Sequence, residues 1–244
     1  MPARLYLPLP LHEGATLALP AEAARHVQVL RLQPGHAITL FNGDGQEWQA
    51  EVTRMGRHDV DVVVGAPLPS RACELSVAVT LALGMPANER MDALVEKATE
   101  LGVARIQPLQ CARSVLKLQG ERAERRQAHW QSVAQSAAEQ SGRTRVPVVA
   151  PIAALETWLA GQAPQDPQGE HARHLLSFAP DAQLAASLPL QASAITLLSG
   201  PEGGLDPREE ALARARGFLP LSLGPRVLRA DTAPLAALAY LGLR

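Results

Sequence analysis

Aromatic side chains are scarce in this chain. Three Trp, two Tyr and three Phe make up 3% of its 244 residues, so Leu, Val and Ala must fill any core, and 47% hydrophobic content suffices for one or two domains. Cysteine is nearly absent. Cys73 and Cys111 stand apart, no Cys/His group has metal-ligand spacing, and two thiols in a chain this size read as reduced rather than bridged. No apolar run reaches the roughly 18 residues of a membrane span. No signal-peptide pattern precedes the first strand-like residues, so a soluble cytoplasmic protein is expected. The chain also lacks a G-x-x-x-x-G-K-[ST] phosphate loop, a G-x-G-x-x-G after its first strand and a G-x-S-x-G elbow. Familiar nucleotide cradles are thereby excluded, and acyl transfer through a serine has no support. A formal net charge of −1 makes no global case for nucleic acid.

Charge is instead concentrated locally. Between Arg105 and Arg145 stand eight Arg or Lys (Arg105, Arg113, Lys117, Arg122, Arg125, Arg126, Arg143, Arg145) against Glu121, Glu124 and Glu139, a local excess of +5. A solvated helix face or a phosphate-facing strip would each look like this, and the pattern alone leaves both open.

Residues 1 to 68 read as a small β-rich domain. Thr16 to Leu19, Ala37 to Phe41, Trp48 to Thr53 and Val60 to Val64 are strand-like, and Asn42-Gly43-Asp44-Gly45 is a strong hairpin signal. Ala21 to Leu32 is helix-like and carries Arg25, His26 and Arg31. Several short strands with glycine turns suggest a small barrel. Pro67-Leu68-Pro69-Ser70 predicts a linker, because proline fixes φ and biases its predecessor toward extended backbone. Residues 73 to 244 then alternate strands and helices, which predicts an α/β domain with a mostly parallel sheet. Strands are expected at Leu75 to Leu83, Arg105 to Leu109, His174 to Phe178, Ala194 to Leu198 and Phe218 to Leu223. Helices are expected from Met91, over Glu121 to Ser141 and Ala153 to Ala160, over Pro207 to Ala215 capped by Asp206, and over Thr232 to Leu243 with Thr232 as N-cap. Pro164 to Gly169 reads as loop.

Two segments carry the chemistry. Ser199-Gly200-Pro201-Glu202-Gly203-Gly204 and Leu223-Gly224-Pro225-Arg226-Val227-Leu228-Arg229 each follow an apolar strand, where open α/β sheets commonly bind ligands. Taken singly, either could be a structural turn. The second leads into a helix that is apolar almost all round, so its burial involves either its own core alone or a second subunit.

With these segments the chain resembles the SPOUT class of S-adenosylmethionine-dependent RNA methyltransferases, and within it the bacterial 16S ribosomal RNA uridine N3-methyltransferase family. The matching residues run through both domains: Arg25-His26, Val29-Leu30-Arg31 and Asn42-Gly43-Asp44-Gly45; Glu89-Arg90-Met91, Glu96 to Gly102, Arg113-Ser114 and Glu139 to Arg143; then the two glycine loops. The resemblance implies a PUA-like RNA-binding barrel followed by a trefoil-knotted SPOUT domain acting as a homodimer on 16S rRNA of the small ribosomal subunit. No metal is needed, because the donor's methyl already sits on a sulfonium. It also implies donor contacts from Leu198, Ser199, Gly200, Pro201, Glu202, Gly203 and Gly204 and from Leu221, Ser222, Leu223, Gly224, Arg226, Val227, Leu228 and Thr232. Catalytic roles are expected for Arg229, Glu202 and Asp231, and RNA contacts for Arg25, His26, Arg31, Arg113 and Arg143. Two positions depart from the family pattern: Ala230-Asp231-Thr232 replaces the common Thr-Glu-Thr, and Met85 to Asn88 lacks the usual lysine. Ribose 2′-hydroxyl or transfer-RNA methylation on the same fold, or a donor-blind RNA-binding module, are the alternatives.

Overall fold

The computed structural model describes residues 2–57, 59–87, 90–163, 170–188 and 192–243. The expected loop Pro164 to Gly169, and Glu89 of the Glu89-Arg90-Met91 match, lie outside these. The chain divides into two compact units, Met1–Glu74 with Ala138–Val146, and Leu75–Ala137 with Pro147–Arg244.

The first unit contains β1 (Ala3–Tyr6), β2 (Thr16–Ala18), α1 (Ala21–Val29), β3 (Ala37–Phe41), β4 (Glu47–Met55) and β5 (Val60–Pro67). They form a five-stranded sheet in the order β1-β3-β4-β5-β2. β3, β4 and β5 are antiparallel neighbours, and β1 lies parallel to β3. The Asn-Gly-Asp-Gly segment makes the β3–β4 turn: Gly43 and Gly45 take positive φ, and the Asn42 and Asp44 side chains accept from the backbone N–H groups of Asp44 and Gln46. Alternate strand residues (Leu5, Leu7, Ile38, Leu40, Val52, Val62) meet Val27 of α1 in one core. β1 is not among the expected strands.

Helix α1 ends in a Schellman arrangement. The Leu32 N–H donates to Val27 O at 3.2 Å and the Arg31 N–H to Gln28 O at 2.9 Å. The residue at the left-handed position is usually glycine; here it is Arg31, with φ 54°.

Ala138–Val146 is tied into this unit by arginines. The Arg4 guanidinium pairs with buried Glu47 at 2.6 Å and donates to the carbonyls of Ala138, Glu139 and Arg143. Arg143 is itself 4% exposed and pairs with Glu74 at 2.6 Å, while Glu74 also accepts from the backbone N–H groups of Thr144 and Arg145. This corrects the expectation for Arg143. Its guanidinium is neutralised inside the unit and is no surface cation for RNA.

The second unit runs β6 (Ala78–Gly84), α2 (Arg90–Glu100), β7 (Arg105–Gln110), α3 (Gly120–Ser141, whose last turn belongs to the first unit), β8 (Val148–Val149), β9 (Ala153–Ala154), α4 (Leu155–Ala160), β10 (His171–Leu176), β11 (Gln183–Leu184), β12 (Ala194–Ser199), α5 (Pro207–Ala215), β13 (Leu219–Ser222) and α6 (Thr232–Gly242). The sheet order is β11-β13-β10-β12-β6-β7-β8, with β9 beside β7, and the pairings are parallel. Parallel strands buried on both faces explain the continuous apolar runs read from the sequence. Leu81, Leu83, Ile195, Leu197 and Leu221 pack against Met91, Val95, Trp130, Ala237 and Leu238 on one face, and Leu198, Leu175 and Phe218 meet Leu155 and Ala213 on the other. α5 starts with the expected Asp206 cap as a full capping box with Glu209, and Pro207 occupies its first turn. α6 departs from expectation at its start: the N-cap residue is Asp231, not Thr232, and it makes no side-chain cap bond. Among the described residues no helix is long and apolar enough to cross a membrane.

Candidate functional site

Parallel strands deliver their following loops to one edge of a sheet. β12 and β13 flank β10, so the loops after all three meet at the carboxyl edge. There they enclose a cavity of about 300 Å³. Its walls are Ser199, Gly200, Pro201, Glu202, Gly203 and Gly204 after β12, and Leu221, Leu223, Arg226, Val227, Leu228, Ala230 and Ala233 around the end of β13. Leu176, Ser177 and Phe178 after β10 complete it. The two glycine-bearing loops thus form one pocket.

The third wall was missed in the sequence. A strand was expected over His174 to Phe178, but β10 ends at Leu176. The Ser177 hydroxyl accepts the Ala179 N–H, turning the chain and leaving Phe178 62% exposed at the cavity. The strand begins three residues early because its polar members are accommodated. Arg173 donates to the Ala163 and Arg216 carbonyls, and His171 bonds Thr196. Among the described residues buried His174 has no hydrogen-bond partner on either ring nitrogen, and burial holds its pKa below the usual value.

Several donor-contact residues named from the sequence do not line the cavity. Leu198 is fully buried in the core beneath it, Ser222 and Gly224 form the turn behind it through their mutual hydrogen bond, and Thr232 is exposed in the first turn of α6.

The β12 loop folds back tightly on itself. The Gly204 N–H donates to Pro201 O at 2.8 Å, and a Cβ on Gly200 would stand 2.6 Å from Leu205 N and 2.7 Å from Gly204 C. No side chain fits there, so the loop turns because residue 200 is glycine. Two neighbours pin it. Arg113 Nη1 donates to Gly203 O at 2.7 Å and Leu205 O at 3.2 Å. Glu202 Oε1 accepts the Ala87 N–H at 2.9 Å and lies 3.5 Å from Arg90 Nη1. Arg113, expected to meet RNA, therefore holds the loop's outer carbonyls, and the Glu202 carboxylate is already engaged.

Unused polarity remains at Ser199 in the cavity wall and at Asp231, which is not among the lining residues. Ser199 Oγ and Asp231 Oδ1 are buried without a hydrogen-bond partner among the described residues. Such atoms are costly unless a ligand or water satisfies them. Arg229 is exposed between the cavity-lining residues Leu228 and Ala230, and its carbonyl accepts the Thr232 and Ala233 N–H groups. Burial, reinforced by Glu209, pushes the Cys111 thiol up to about 12, away from the thiolate form. No group of three or more His, Cys, Asp or Glu among the described residues is arranged to hold a metal.

In the first unit, Arg25, His26 and Arg31 are exposed at the end of α1 beside Val29 and Leu30, themselves exposed. His26 Nδ1 lies 3.8 Å from Glu139.

Comparison with known proteins matches most of the chain to two families. Residues 73–242 match the RNA methyltransferase domain family and residues 19–65 the RNA methyltransferase PUA domain family. The chain is 31% identical to the ribosomal RNA small subunit methyltransferase E of Bacillus subtilis, over 94% of this chain and 90% of that one. It is 36% identical to the protein of the same name from Synechocystis, over 93% and 73%. Among solved structures, a Neisseria gonorrhoeae ribosomal RNA small subunit methyltransferase E bound to S-adenosyl methionine superposes with a TM-score of 0.91 at 37% identity, covering 99% of this chain and 97% of that one. A Legionella pneumophila methyltransferase in complex with the cofactor SAM gives 0.91 at 34%, covering 100% and 98%.

Proposed function

Because the chain belongs to the ribosomal RNA small subunit methyltransferase E family, we propose that it transfers a methyl group from S-adenosylmethionine to N3 of a decoding-region uridine in 16S rRNA. The single observation that carries this reading is the junction of the two glycine loops in one cavity at the carboxyl edge of a parallel sheet. A volume of about 300 Å³ is at the lower end for small-molecule pockets. The backbone of Gly200 to Gly204 and Leu221 to Leu228 would hold the donor, with Ser199 Oγ the buried hydroxyl awaiting a partner. When bound, the donor supplies an electrophilic methyl group. The trefoil knot and the cytoplasmic location implied by the resemblance belong to this same proposal.

Uracil N3 is a poor nucleophile while protonated, so the site must orient the base and favour loss of its proton. Arg229, beside the cavity, would stabilise negative charge developing on the uracil carbonyls. Glu202, engaged by Ala87 and Arg90, serves to hold the loop. Asp231, whose Oδ1 has no hydrogen-bond partner among the described residues, would take the proton. Arg25, His26 and Arg31 would contact RNA phosphate, which positions the strand without reading it. N3 lies on the Watson–Crick edge, so the target base must be unpaired or extruded. α6 buries Pro234, Ala237, Leu238 and Leu241 and keeps Leu235 and Tyr240 partly exposed, an apolar surface that would serve the homodimer.

The test is methylation of small subunits from a strain lacking the activity, followed by mapping of the modified nucleoside. 3-Methyluridine is expected. A 2′-O-methyl product, or no donor binding by calorimetry, refutes the assignment. In single turnover with saturating donor, Arg229→Ala should slow transfer by about 10²–10³-fold; an unchanged rate removes Arg229 from the mechanism.

A further inference from the structure

The first turns of α3 are not used by the reading above. Leu118, Arg122, Arg125 and Arg126 enclose a surface hollow of about 450 Å³. Arg122 and Arg126 are four residues apart on the helix, and Arg122 and Arg125 three, so like charges are immediate neighbours, an arrangement that disfavours a helix. Among the described residues Arg122 and Arg126 have no ion-pair partner. Among the described residues Arg125 pairs only with Glu121, at 3.4 Å, with both side chains largely in solvent. Three guanidinium groups are thus gathered around one space with little local compensation.

The hollow is also anchored to the edge where the cavity opens. The segment leading from β7 into α3 is held at Ala112 by Glu209 of α5 (2.7 Å), at Arg113 by the carbonyls of Gly203 and Leu205, and at Leu118 by Gln110 Nε2 (2.8 Å). Leu118, 3% exposed, fixes the floor to the core. In the sheet, β7 is two strands from β12, on the order of 10 Å at the usual strand spacing.

Resting on the methyltransferase reading, we propose that this hollow is a phosphate seat for the substrate RNA, taking the backbone of the strand whose base enters the cavity. Guanidinium forks match phosphate oxygens in pairs. Several of them along an open helix face suit a polyanion, not a single enclosed ion.

The test compares Arg122→Gln/Arg126→Gln with a control, Arg105→Gln/Arg216→Gln, which removes the same charge where β7 begins and just before β13, at the opposite edge of the sheet. Affinity for a labelled 16S rRNA decoding-region fragment is measured between about 50 and 200 mM salt. Loss of two phosphate contacts should reduce the slope of log affinity against log salt by about 1.4–1.8, with the control unmoved. KM for RNA should rise while donor affinity and the rate at saturating RNA stay as in the parent. Equal slopes in parent and Arg122/Arg126 variant, or equal losses in variant and control, overturn the proposal while methylation by the parent persists. A parent that does not methylate fails the functional reading itself.

Discussion

Arg31 is the most informative residue to perturb, because its backbone and its charge make opposite demands. It occupies the left-handed position that closes α1, with φ 54°. A side chain there costs roughly 1–2 kcal/mol relative to the right-handed form. Glycine removes that strain but adds about 0.5–1 kcal/mol of unfolded-chain entropy. Arg31→Gly should therefore stabilise the protein by a net of about 0.5–1 kcal/mol. The two Schellman hydrogen bonds are backbone bonds and survive the change. With a urea m-value of about 2 kcal/mol/M, the midpoint should rise by roughly 0.3–0.5 M. Over the same substitution RNA binding should weaken, and the salt slope should fall by about 0.7–0.9 for one phosphate contact. Arg31→Lys, which keeps both strain and charge, should resemble the parent in both assays. A variant that gains stability and binds RNA with an unchanged slope would show that the strained arginine has no part in RNA recognition. Lost stability would show that the geometry carries no strain to relieve.

Further outcomes follow from the cavity and the core. Gly200→Ala forces a methyl to within 2.6 Å of Leu205 N, so donor binding should fall below detection by calorimetry and stability should drop by about 1–3 kcal/mol; normal donor affinity would mean the loop is not the donor's cradle. His174 is held neutral by burial, with its pKa lowered, so the unfolded chain binds the extra proton first. Stability should therefore decline as pH falls below about 6.5, by up to about 1.4 kcal/mol per pH unit, and His174→Leu should flatten that decline in denaturation measured from pH 8 to about 5. Parallel pH profiles for the two proteins would remove His174 as the cause.

What was legible beforehand follows from range. The Asp206-Pro207 start of α5 and the Asn42 to Gly45 turn are local chemistry, and both formed as read. The parallel sheet was legible because its buried strands are unbroken apolar runs. The glycine loops stood out because composition changes sharply where a strand meets the edge. The misread features depend on residues distant in sequence. Arg143 defaults to the surface in any sequence reading, yet its partner Glu74 lies 69 positions away. The polar start of β10 falls outside the expected strand because the carbonyls that satisfy Arg173 come from Ala163 and Arg216. Phe178 was placed inside a strand when it lines the cavity, since nothing in its own neighbourhood marks Ser177 as the stop.

The affiliation of Ala138–Val146 with the first unit has a consequence for inheritance and for engineering. The polypeptide contributes to that unit in two instalments, so no single cut releases it whole. A chimaera joined only after residue 74 would give Arg143 and the carbonyls at the end of α3 foreign substitutes for Glu74 and Arg4. Exchange between relatives requires three junctions, after residues 74, 137 and 146, and substitutions at Arg4, Glu47, Glu74 and Arg143 should travel together.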